Sequence, residues 1–186
     1  MILSDREIQA ALARGSITIT PKPSQKAYSS MAIDLTLDSE LRAWRTPLPG
    51  VESKFCPGVK DFSVAELANR HADRMEIPAY GGFDPGSFVL GWTVEKIQLP
   101  HRSRIAARVE GKSSLARLGI GVHVTAPTIH AGFGFDAERP DEGLPIQLEM
   151  FNLGPLTIQL VRGLPICQLI FEEVHGTPDK GYEGRF

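Results

Sequence analysis

Short apolar or alternating runs recur along these 186 residues, near 31 to 37, 87 to 99, 104 to 109, 121 to 126, 145 to 151, 156 to 161 and 165 to 173. Side chains of a strand alternate between its two faces, so runs with period two describe half-buried strands. The breaks at Asp84-Pro85-Gly86, Leu99-Pro100, Gly132, Gly154-Pro155, Gly163 and Pro165 describe the turns between them. Many short strands with few helices predict a mainly β fold, a barrel or sandwich of jelly-roll type. Helical signals are confined to three places. Ser4-x-x-Glu7 is a capping box ahead of Ile8, Ala11 and Leu12, with Gly15 as the stop, and predicts a helix over 5–14. Ser63-x-x-Glu66 predicts another near 64–72, and Ser114 to Leu118, closed by Gly119, predicts a single turn.

With 42% hydrophobic and 23% charged residues, the chain makes one ordinary domain over 1–186 with a full core. A net charge of −2 gives no general attraction to nucleic acid or an anionic membrane, so any phosphate site has to be local. Cys56 and Cys167 stand far apart and outside any zinc-type spacing, and a reducing cytoplasm is the simplest setting. The N-terminus enters charged residues at once and no run of roughly 18 apolar residues occurs, so neither export nor membrane insertion is indicated. Asp136 to Gly143 reads as a solvated loop, and 176–186 as a polar tail or a lid that orders on a ligand.

Two places carry more chemistry than strands and turns require. Gly111-Lys112-Ser113-Ser114-Leu115-Ala116-Arg117-Leu118-Gly119 packs two cations, two hydroxyls and two glycines between apolar strands, as a site for a phosphorylated small molecule needs. Glu149 sits inside Ile146-Gln147-Leu148-Glu149-Met150-Phe151, where a carboxylate is costly unless paired or put to use. Alternation points Ile146, Leu148 and Met150 to one face and Gln147, Glu149 and Phe151 to the other. Taken alone, Glu149 reads as an edge or interface carboxylate paired with an arginine, and Ser113 to Arg117 as a capped turn with surface cations.

Together these stretches resemble a known family. Lys112 to Gly119, then Val122-His123-Val124-Thr125-Ala126, Gly132-Phe133, Leu148-Glu149-Met150-Phe151-Asn152 and Gly163-Leu164-Pro165-Ile166-Cys167-Gln168-Leu169-Ile170-Phe171 are similar, in order, to the motifs of dCTP deaminases, relatives of trimeric dUTPases. Ile2 to Ile8 and Ile33-Asp34-Leu35-Thr36-Leu37 match as well. The resemblance implies a distorted jelly-roll β-barrel of dUTPase-like type and a homotrimer with sites between subunits. It also implies magnesium carried with the triphosphate, and hydrolytic deamination of dCTP to dUTP without zinc. The His-x-Glu and Pro-Cys-x-x-Cys set of zinc deaminases is absent from the sequence.

Deamination at C4 of cytosine needs a base for water, a proton donor for N3 and the leaving ammonia, and groups that hold the tetrahedral intermediate. By the resemblance, Glu149 is the base, and Ser113 and Arg117 surround the reactive end of the base. The backbone at Thr125 and Ala126 holds the water and the exocyclic amine. Lys112 and Ser114 reach the triphosphate, Phe133 lies against the deoxyribose, and Gln147 reads the pyrimidine edge. Outside that frame Phe133 reads as core and Gln147 as a solvent-facing side chain.

The pattern breaks in three places. An aspartate is expected where His130 stands, and an imidazole can hydrogen-bond but lacks the fixed negative charge. The acidic loop lengthens the connection to Glu149. Lys180-Gly181-Tyr182-Glu183-Gly184-Arg185-Phe186 only approximates a lysine-tyrosine-x-x-glutamine tail, with Lys180 shifted by one and Arg185 in the place of glutamine. Both cations remain candidates for phosphate contacts, with Tyr182 beside them. A dUTPase-like pyrophosphatase would need the missing aspartate and not Glu149. A bifunctional enzyme giving dUMP and a non-catalytic trimeric nucleotide-binding protein are the remaining alternatives.

Overall fold

The computed structural model describes residues 1–46, 54–77, 81–122, 126–139 and 142–182. Its elements in chain order are α1 (Asp5–Ala13), β1 (Thr18–Thr20), β2 (Ala32–Trp44), α2 (Val64–His71), β3 (Ala72–Glu76), β4 (Phe88–Gln98), β5 (Ile105–Gly111), α3 (Ser113–Ala116), β6 (Ile120–Val122), β7 (Thr128–Ile129), β8 (Leu144–Asn152) and β9 (Pro165–Glu173). Among the described residues the strands pair antiparallel in the order β6-β8-β4-β2-β9-β5-β7, with β1 on β4 and β3 on β2. Strand β2 makes the curl. Ala32 to Thr36 pair with β9 and the residues from Leu37 onward pair with β4, with register shifts at Leu35/Thr36 and Leu37/Leu41 where the strand changes layer. The mainly β, jelly-roll class expected from the alternating runs is the fold the chain adopts.

Leu35, Leu37, Leu41, Ile97, Ile146, Leu148, Met150, Leu169 and Phe171 meet in one buried cluster between the layers. Helix α1 covers it with Ile8 and Ala11, and its capping box is complete: Ser4 N–H donates to Glu7 Oε2 (2.8 Å), and Glu7 N–H donates to Ser4 Oγ (3.4 Å). Helix α2 shows half of its box. Glu66 N–H donates to Ser63 Oγ (3.2 Å), while the Glu66 carboxylate accepts from Arg70 (3.3 Å).

The run 156–161 is not a strand. Only Ile158 makes a β-bridge, an isolated one to Phe83 ahead of β4, exchanging backbone hydrogen bonds (2.8 and 3.1 Å), while Leu156 and Val161 are exposed and the Leu156 carbonyl accepts from the Asn152 side chain. Conversely, β2 runs on to Trp44 through the polar Asp38-Ser39-Glu40, β1 uses the short alternation Ser16-Ile17-Thr18-Ile19-Thr20, outside the runs expected as strands, and β3 and β7 carry no alternation that the sequence displays. The strand expected over 121–126 is seen as far as Val122, since 123–125 lie outside the described residues.

Candidate functional site

The first corner is the turn between β5 and β6. Lys112 is the N-cap residue of α3 and does not cap it by side chain; its ammonium is ion-paired with Asp34 of β2. The turn is closed by Arg117 N–H to Ser113 C=O (3.2 Å) and Gly119 N–H to Ala116 C=O (3.0 Å). Leu115 packs inward on the core, which leaves Ser113, Ser114 and Arg117 exposed. Gly119, at φ +91°, packs against Gly154, and a Cβ on either would overlap the other's backbone neighbourhood. With Leu153 N–H donating to Gly119 C=O (2.9 Å), this contact fixes the turn at the end of β8. Lys112, Ser113 and Ser114 line a cavity of about 640 Å³ together with Arg108, Glu110 and Gln168. Arg108 is itself shared between Glu110 and Glu172 (3.2 Å each).

Strand β8 carries the second feature. Ile146, Leu148 and Met150 are buried, while Gln147 is exposed and Glu149 and Phe151 are half-buried on the opposite face, as alternation predicts. Glu149 therefore points away from the core. Leu90 of β4 stands directly across from it, Phe88 across from Phe151, and Trp92 across from Gln147, with the Arg42 guanidinium 5.1 Å above the Trp92 ring. On the other side β6 pairs Gly121 with Phe151 and Val122 with Met150. The Phe151 ring lies over Gly121, where a Cβ would fall inside it.

The third group gathers after β7. Gly132 N–H donates to Leu99 C=O and Leu99 N–H to Phe133 C=O (2.8 Å), tying the 130–133 turn to the end of β4. Tyr182 stacks on His130, with ring centroids 5.2 Å apart and planes at 6°, and meets Phe133 at 6.3 Å. Phe133 and Tyr182 line a cavity of about 520 Å³ with Phe135, Leu144 and, from the acidic loop, Asp136, Arg139 and Glu142. In that loop Arg139 is held by Asp136 (2.9 Å) and Glu142 (3.0 Å). Hydrogen bonds from the Glu138 N–H and the Arg139 side chain, with the Arg139 charge, hold the Asp136 carboxyl below its ordinary range.

Lys112, Ser113 and Ser114 thus come together in one cavity, and Phe133 and Tyr182 in another, with His130 stacked on Tyr182; the two share no lining residue, and Glu149 lines neither. Ala126, Gln147 and Lys180 are exposed, while Thr125 and Arg185 lie outside the described residues. Asp34 had no role assigned from the sequence; its only signal was an acidic residue in an otherwise apolar strand run. Burial first, and then the charges of Glu95 and Asp34, push the Cys167 thiol well up, so it stays protonated and is no nucleophile. Among the described residues no group of three or more His, Cys, Asp or Glu side chains is placed to hold a metal ion. Among them, too, no helix is long and apolar enough to cross a membrane.

A family model described as dCTP deaminase-like matches residues 2–174. The chain is 37% identical over 186 residues to the dCTP deaminase of Rhodospirillum rubrum, covering 98% of this chain and 87% of that protein. It is 33% identical over 183 residues to the dUMP-forming dCTP deaminase of Methanosphaera stadtmanae, covering 97% and 83%. Among solved structures, its fold is similar to that of the 2'-deoxycytidine 5'-triphosphate deaminase from Agrobacterium tumefaciens, with a TM-score of 0.64 and 23% identity. That match covers 94% of this chain, which spans 48% of the length of the other.

Proposed function

From its membership of the dCTP deaminase-like family, to which the chain belongs, we propose that it hydrolyses the exocyclic amine of dCTP to give dUTP and ammonia. Glu149 acts as the general base. It takes a proton from the water that attacks C4, and protons return to N3 and to the amine, which leaves as ammonia. The Ser113 hydroxyl and Arg117 guanidinium orient the water and balance charge at the tetrahedral carbon. Lys112 and Ser114, with Lys180 and Arg185 from the tail, take the triphosphate and its magnesium. Phe133 takes the deoxyribose, Gln147 the pyrimidine edge, and the backbone at Thr125 and Ala126 the water and amine. Zinc has no part in this chemistry.

One observation carries the proposal: the Gly119–Gly154 contact seats the Ser113 to Arg117 turn at the end of the strand that holds Glu149 off the core. Two cavities with no residue in common favour half-sites completed by neighbouring chains of a homotrimer.

The test is to incubate the protein with dCTP and magnesium, resolve dCTP, dUTP and dUMP, and assay ammonia. Ammonia and dUTP in equal amounts are expected, with Glu149→Gln slowing turnover roughly a hundredfold or more. Release of dUMP and pyrophosphate would replace this product by that of the Methanosphaera relative. Unchanged turnover in Glu149→Gln would remove the carboxylate from the mechanism.

A further inference from the structure

The C-terminal tail reaches the 130–133 turn, and two features let it. At Gly132, φ is +100°, and a Cβ would run into the Gly181 and Tyr182 backbone, so only glycine permits the approach. At His130 the imidazole lies parallel to the Tyr182 phenol, 5.2 Å between centroids and 6° between planes. Phe133 meets the same phenol at a tilt of 42° and 6.3 Å, so the flat contact is with His130 and the edge of the cavity is with Phe133.

We propose that His130 is a positioning residue for Tyr182: its flat face docks the tail so that the phenol closes the cavity beside Phe133, and the imidazole serves the substrate through Tyr182. A carboxylate at position 130, as the resemblance implies, has no ring to stack; the histidine and the tail contact are one change. The cavity's chemistry names its occupant. Arg139, the cation among its described lining residues, sits between two carboxylates, Asp136 and Glu142, so the wall carries a net negative charge that repels phosphate. What remains is aromatic surface from Phe133, Phe135 and Tyr182. That surface suits an uncharged ring, the sugar of the nucleotide, packed on its apolar face. The assignment of the ring as deoxyribose rests on the deaminase reading; the docking of the tail does not.

The experiment compares His130→Phe, which keeps a flat face and loses the ring nitrogens, with His130→Ala, His130→Asp and Tyr182→Ala. Two readouts are taken: amide exchange at residues 181–182 without nucleotide, and KM and kcat for dCTP. His130→Ala and His130→Asp are expected to speed exchange roughly three- to tenfold and to raise KM by a similar factor with kcat little changed, the size of one stacked pair. His130→Phe should stay near the wild type in both, and His130→Ala with Tyr182→Ala should be no worse than either alone. If His130→Phe behaves like His130→Ala, or if the double variant is additive, His130 acts on substrate directly and the proposal falls. Should the wild type leave dCTP intact, the deaminase reading fails by itself, and the exchange measurements still decide whether His130 docks the tail.

Discussion

Gly121 has no space for a side chain, because the Phe151 ring from the neighbouring strand covers it on the face that carries Glu149. The constraint is steric, so Gly121→Ala should force the ring aside and cost about 1–3 kcal/mol, the usual range for overpacking. In a Phe151→Ala background the same substitution should be close to neutral. Denaturant midpoints for the four proteins of the cycle check this, and equal costs in both backgrounds would mean that the glycine answers to something other than the ring. Turnover should fall with Gly121→Ala as well, since the displaced ring is two residues from Glu149 on the same face. Asp34 makes a similar point about residues acting through neighbours. A carboxylate in an alternating strand says only that one face is polar; that it holds Lys112 follows from β9 pairing with β2 on one side and with the end of β5 on the other, which no local pattern encodes.

At the scale of elements, α1 was legible because its signals are local: a capping box, a helical stripe and a stop glycine lie within a dozen or so residues. The same holds for β5 and β8, whose alternation is imposed by burial on one face, and for β4 and β9, whose apolar runs are buried on both faces between turn signals. Strand β3 was not legible, since Ala72-Asp73-Arg74-Met75-Glu76 pairs only with β2 and has little buried surface to pattern it. The run 156–161 misled for the opposite reason, because its apolar residues alternate while only Ile158 finds a bridging partner. In the site, the turn at 113–117 and the facing of Glu149 could be read from spacing, whereas the stacking of Tyr182 on His130 joins segments far apart in sequence. The capping box also sets a pH dependence. The backbone N–H of Ser4, and then its hydroxyl, hold the Glu7 carboxyl below its ordinary value. A depressed folded-state value contributes stability above the unfolded value that is lost as pH falls through the folded one. Glu7→Gln keeps an oxygen acceptor and removes the titration. The thermal midpoint of the wild type should therefore exceed that of Glu7→Gln at neutral pH, with the gap closing in acid; a gap that persists unchanged would deny the carboxylate this role.

For the whole molecule, the separation of the two cavities is the fact to explain. Lys112, Ser113 and Ser114 surround one, Phe133 and Tyr182 the other, and each alone holds only part of what a nucleotide needs. Several aromatic and aliphatic side chains are also exposed in the single chain, among them Phe88 across from Phe151, Leu153 bonded to Gly119 by its backbone, and Leu144 in the wall of the Phe133 cavity. Exposed apolar surface beside incomplete sites is what a cyclic assembly would cover. The expected solution mass is three times the 20.4 kDa of one chain. A sharper test uses two damaged chains, Arg117→Ala and Phe133→Ala, each expected to be nearly inactive as a homotrimer. If every site takes the Arg117 turn from one chain and the Phe133 turn from its neighbour, refolding the two variants together in equal amounts restores roughly a quarter of the sites, by random pairing in a closed ring. Activity near that level after mixing, with none from either variant alone, is the expected result. No recovery from mixed assemblies of the same mass would place both turns of each site on a single chain, and the exposure of Phe88, across from Phe151, would then need another reason.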